Sequence, residues 1–139
     1  MKQAVAARIA WVFKREQPEV FDQIVEGFKP QLTDISLIQR MYSYYEGTRS
    51  RHCGFDERFN HNLLFICSIF DLFDPGSLYY GAIATKSLCT ILARVTGYNH
   101  RQEVSDLKSH ARVYIKNPRF KARVKELSEE LKTATHIGL

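Results

Sequence analysis

Apolar residues recur at helical spacing along almost the whole chain. Val5, Ile9, Val12 and Phe13 form one stripe of a first helix over about 2–16, and Val20, Phe21, Ile24, Val25 and Phe28 form that of a second. Pro18 can open the second helix, where its missing N–H costs nothing, and Gly27 and Pro30 end it. Thr33 is the expected N-cap of a third helix running to about Glu46, with Ile35, Ile38, Met41, Tyr42 and Tyr45 on its apolar face and Gly47 as its stop. Gly47–Gly54 reads as a loop. Asp56 is placed to cap a fourth helix, about 57–73, which is apolar on nearly all sides and therefore central.

Asp74-Pro75-Gly76-Ser77 reads as a turn, and Leu78-Tyr79-Tyr80-Gly81 is the nearest approach to a strand. A fifth helix is expected over about 82–96 (Ile83, Leu88, Cys89, Ile91, Leu92, Val95), a sixth over about 102–116 and a seventh over about 119–133, with Asn117-Pro118 between the last two. The pattern predicts an all-α fold: a compact bundle of about seven helices, one domain over residues 1–139. At most a short hairpin or wing is expected, near 75–82 or 97–101. The expected core includes Leu64, Phe65, Ile69, Leu88, Leu92, Leu107, Val124 and Leu127.

Charge changes this picture. Residues 1–93 carry ten basic and ten acidic side chains, whereas 94–125 carry nine basic and two acidic. A neutral body with one basic segment points to a polyanionic partner. On the sixth helix, Arg101, Ser105, Lys108, Arg112 and Lys116 share an arc of roughly 80°. Val104, Leu107, Ala111, Tyr114 and Ile115 share the adjoining arc of roughly 100°. One flank can dock while the basic flank faces solvent, as a helix lying along phosphates or in a major groove requires. The helix follows an apolar one across Gly97-Tyr98-Asn99-His100, as in a helix-turn-helix, and Arg119 and Arg123 are expected to extend the basic surface. The candidate DNA-contacting residues are thus Arg101, Ser105, Lys108, Arg112, Lys116, Arg119 and Arg123.

Catalytic and metal chemistry finds little footing. The five histidines form no HExxH and the three cysteines no CxxC, so no metal is expected. Phosphate-cradling and nucleophile-elbow motifs are absent, and neither a reaction nor a cofactor is expected. Glu57 and His61 could meet as an i,i+4 surface pair, and Cys53 has only its neighbour His52 as a sequence-visible partner. Tyr42 and Tyr45 fall on the apolar face, Tyr44 away from it. Cys67 and Cys89 sit in apolar runs and are expected to be buried in a reducing compartment. With no export signal and no apolar run of membrane length, a cytoplasmic location is expected.

From Leu63 onward the order of features resembles the C-terminal part of RteC-like regulators from conjugative elements of Bacteroides. The similarity lies in the apolar helix Leu63–Phe73, the turn before Tyr80-Gly81, the helix Lys86–Val95 with Gly97-Tyr98-Asn99, and the basic stretch Arg112–Arg123 leading into Val124-Lys125-Glu126-Leu127. It covers roughly half of the chain. The resemblance implies a winged-helix-like DNA-binding module and a regulatory role on a mobile element. The alternative is a protein-interaction or accessory helical module, whose basic face is solvation or meets an acidic protein.

Overall fold

Eight α-helices account for most of the described residues, 3–48 and 58–136, of a computed structural model, and no strand occurs among them. The fold is all-α. The elements are α1 (Gln3–Glu16), α2 (Pro18–Phe28), a 3-10 turn (Ile35–Leu37), α3 (Ile38–Gly47), α4 (Arg58–Phe73), α5 (Pro75–Tyr80), α6 (Lys86–Thr96), α7 (Arg101–Tyr114) and α8 (Pro118–His136). Three prolines stand in the first turn of the helices they open, at α2, α5 and α8. Most of the expected Gly47–Gly54 loop, with His52 and Cys53 on it, the Asp56 cap and the Glu57 partner of His61 lie outside the described residues.

Helix α4 is the axis of the bundle. Its residues 61–72 are all buried, and α3, α5, α6, α7 and α8 pack around it, α8 most extensively. A helix without a polar face can only be accommodated this way, since every side it left open would expose apolar area. The eight expected core residues are all buried. The loop before the 3-10 turn is tied to the end of α4, where the Leu72 carbonyl accepts from both Gln31 N and Leu32 N (2.8 and 3.0 Å).

The structure departs from the sequence reading at several joints. Asp34, not Thr33, caps the third helical segment. Its carboxylate accepts from Ser36 N and Ser36 Oγ (3.1 and 2.6 Å), and these bonds hold the Asp34 carboxyl below its ordinary value. The segment read as a turn and a short extended piece is helix α5. It ends at Gly81, whose φ of 75° is open to glycine without strain. The fifth expected helix begins four residues late, at Lys86. Asp74 Oδ2 accepts from Thr85 N and Thr85 Oγ1 (3.1 and 3.2 Å), which holds 82–85 out of helical geometry. Ile83, expected on an apolar face, is consequently 95% exposed.

The N-terminal hairpin is the larger surprise. Helices α1 and α2 contain no buried residue. α1 packs on α2, with Phe13 against Phe21 (5.9 Å between ring centroids), and α2 packs on α5. The second contact is reciprocal. A Cβ at Gly27 would lie 2.5 Å from the Tyr80 ring of α5, and a Cβ at Gly76 of α5 would lie 2.9 Å from Cγ of Phe28 and closer still to its ring edge. The two rings stack on each other at 5.3 Å. Each helix thus receives the other's ring over a glycine.

Candidate nucleic-acid interface

The seven residues singled out by the sequence do not converge. Lys108 is 7% exposed, against the expectation of a solvent-facing phosphate contact. On the wheel it borders Val104, Ala111 and Ile115, all buried, and α6 packs on α7. Its long stem is covered there, and its charge falls near Cys89 of α6. Burial pushes the Cys89 thiol upward, Asp74 adds to this, and Lys108 and Arg101 oppose it.

With Lys108 docked, the basic stripe breaks into two ends. Arg101 lies beside Arg94, Tyr98 and Asn99, in a cleft of about 560 Å³ at the α6–α7 corner. Arg112 lies eleven residues on, roughly 16 Å along the helix. The solvent face between them carries Gln102, bonded to Asp106 at 3.0 Å, and Ser109. A carboxylate at mid-helix opposes a phosphate backbone lying along this face. Ser105 is half-buried.

Arg119 and Arg123 separate from Arg112 as well. Helix α8 buries Val124, Leu127, Ser128, Leu131 and Ala134. Lys121 and Lys125 flank that face on one side and Arg119 and Arg123 on the other, roughly 120–160° away around the helix.

A different set does come together. Arg112, Lys116 and Lys121 line one cleft of about 580 Å³ with Leu78, Tyr79, Ile115 and Pro118. The Arg112 guanidinium lies over Gly81, so its cation sits at the C-terminal end of α5, where the unpaired carbonyls favour positive charge. Arg112, Lys116, Arg119 and Lys121 have no ion-pair partner among the described residues. From Arg112 to Lys125 the chain has six basic residues and no acidic one.

Tyr79 and Lys121 are shared with a second cleft of about 660 Å³, lined also by Lys29, Gln31, Asp71, Tyr80 and Lys125. The Lys121 and Lys125 ammonium groups stand 5.6 and 5.1 Å from the centroid of the Tyr79 ring. At the floor is Asp71, whose side chain is fully buried. Its Oδ1 accepts from the Tyr79 hydroxyl and from Lys125 Nζ (2.7 Å). Burial first, and then the Asp71 hydrogen bond, push the Tyr79 phenol upward, so it remains a donor. This carboxylate fixes a tyrosine and a lysine beside the groove. Lys121, which lines both clefts, and Lys125, which lines the second, were not singled out in sequence. The signal available was their four-residue spacing on the same side of α8.

Two polar clusters outside the groove are satisfied within the bundle. His61, buried, pairs through Nε2 with Glu46 Oε1 (2.9 Å) and stacks on Tyr45 (4.3 Å between ring centroids). Tyr44, expected to point away from the bundle, donates to Glu130 of α8 at 2.8 Å. Among the described residues no group of three His, Cys, Asp or Glu side chains could hold a metal, and no helix is long and apolar enough to cross a membrane. No family model, curated protein or solved structure matches the chain.

Proposed function

We propose that this is a small DNA-binding protein that holds the duplex by its phosphates through the groove between α5, α7 and α8. The observation that carries this reading is the convergence of Arg112, Lys116 and Lys121 on one cleft, with no carboxylate partner among the described residues. Three cations held together by α7, α8 and the link between them attract a polyanion more than any neutral surface would, and phosphate contacts supply most of the affinity of sequence-independent binding. α7 is not the reader in this account. Its exposed face carries Asp106, and its middle cation is buried. Sequence discrimination is therefore expected to be weak. The regulatory role on a mobile element that the family resemblance implies is compatible with this, and rests on that resemblance.

Fluorescence anisotropy with a labelled duplex at two or more salt concentrations tests the reading. Binding at low salt should fall steeply as salt rises, with a log–log slope of about −0.9 per phosphate neutralised. Lys121→Ala and Lys116→Ala should each make the slope shallower by about one. Lys108→Ala should leave it unchanged. No binding at low salt, or wild-type binding by the Lys116→Ala, Lys121→Ala double variant, refutes the proposal. The exposed N-terminal hairpin favours a second reading, an accessory module that works by protein contact. Salt-insensitive capture of a protein partner without DNA binding would support it.

A further inference from the structure

We propose that the α1–α2 hairpin is a self-association surface, covered in solution by the hairpin of a second copy of this chain. Val5, Ile9 and Val12, on one face of α1, are between 43% and 53% exposed, and α2 leaves Val20 and Val25 about as open. Monomeric proteins rarely leave an apolar stripe of this kind open without a use for it.

The spacing of the α1 stripe identifies the kind of surface. Positions 5, 9 and 12 follow the alternating four- and three-residue steps of a helix–helix seam, narrower than the stripe of a helix lying on a globular core. They line a shallow groove of about 470 Å³ with Arg8, Phe13 and Glu16. A helix of 14 residues is about 21 Å long, and two helices lie 8–10 Å apart. The hairpin therefore offers a face on the order of 20 Å by 20 Å per copy, the size of a weak, concentration-dependent interface.

Charge names the occupant. Helix α1 carries Arg8, Lys14 and Arg15 against Glu16, whereas α2 carries Glu19, Asp22 and Glu26 and no basic residue. The hairpin is thus its own electrostatic complement. Yet its ion pairs are local: Arg15 bonds Glu16 and Lys29 bonds Glu26. Arg8, Lys14, Glu19 and Asp22 have no ion-pair partner among the described residues. A twofold axis lays the acidic α2 of each copy along the basic α1 of the other, and such self-complementarity is what an isologous interface requires. An anionic membrane surface is disfavoured by the same count, because it would repel α2.

Sedimentation velocity of the full chain across a micromolar concentration series tests the proposal. The expected result is a dimer. Ile9→Asp should raise its dissociation constant by roughly 30-fold or more, as expected for a charge placed at a buried interface centre. That variant should melt like the wild type when diluted to monomer, because Ile9 is not buried within one copy. Glu19→Lys with Asp22→Lys should weaken the dimer, and adding Arg8→Glu with Lys14→Glu should restore it. A monomer throughout the series overturns the proposal, whether or not that monomer sediments with phosphatidylserine-containing vesicles. So does a dimer that Ile9→Asp and the charge reversals leave intact.

Discussion

Gly76→Ala tests how the N-terminal hairpin is attached. The new methyl would stand 2.9 Å from Cγ of Phe28 and nearer to the ring edge, whereas Cβ contacts below 3.0 Å are essentially never seen. Cγ is one bond from the Phe28 Cβ, so turning the ring cannot relieve the clash. Either Phe28 leaves its rotamer or α2 moves off α5 by about 0.5–1 Å, and both spoil the stack with Tyr80. Overpacking of this kind costs about 1–3 kcal/mol. Alanine in a helix gains up to about 1 kcal/mol over glycine, and less in the first turn, where Gly76 stands. The net expectation is a loss of about 1–2 kcal/mol from hairpin docking, with little loss in the body, because the core around α4 is untouched. Hydrogen exchange should show faster amides in α1 and α2 and unchanged ones in α4 and α8. The single tryptophan, Trp11 of α1, gives a second local readout by fluorescence. If Gly76→Ala is as stable as the wild type and α2 exchanges no faster, the reciprocal glycine–ring contact is not what holds the hairpin.

Leu92→Ala should cost about 2–5 kcal/mol by lost transfer energy plus cavity, since Leu92 is wholly buried in α6; an unchanged urea midpoint would show that α6 docks by another face. Stability should also fall under alkaline conditions, because burial, with a smaller contribution from Asp71, pushes the Cys67 thiol up. In the unfolded chain the thiol ionises near its ordinary value of about 9, while in the folded chain it keeps its proton, so the folded state binds more protons above that pH and stability falls as pH rises. The loss reaches up to about 1.4 kcal/mol one unit above the ordinary value, and urea titrations at successive pH values should show Cys67→Ala with a shallower alkaline decline than the wild type; an equal slope would refute the assignment.

What the sequence made legible was whatever depends on one helix at a time. The bounds of α1, α2, α4 and α7, to within two residues, and the eight core positions follow from periodicity and caps, which are local, whereas α8 runs three residues past its expected end, to His136. What it hid was whatever depends on a second element. Pro75-Gly76 has the composition of a turn, and only the Phe28 ring lying over Gly76 explains why a glycine stands inside a helix there. Glu46 and His61 are fifteen residues apart, and Asp71 and Lys125 fifty-four. No spacing rule reaches such pairs. The stripe on α1 was correctly read as apolar, but periodicity gives only the direction a face points. It does not say what, within one chain, lies opposite.

The basic segment shows the same limit in its functional form. Counted along the chain, residues 94–125 are one cationic block. In space, three different packings divide it. α6 covers the middle of the α7 stripe and takes Lys108 with it. The length of α7 sets Arg101 and Arg112 roughly 16 Å apart. The buried face of α8 sends Lys121 and Arg123, two residues apart, to opposite flanks. The cations that end up together belong to different helices, Arg112 on α7 and Lys121 on α8, with Lys116 between the two. Their common feature is Tyr79, held in place by a carboxylate from α4. A charge count therefore gathers into one block cations that the fold sends to different sides. The groove exists because α5, a helix that the sequence presents as a turn, supplies the wall against which Arg112 and Lys121 meet.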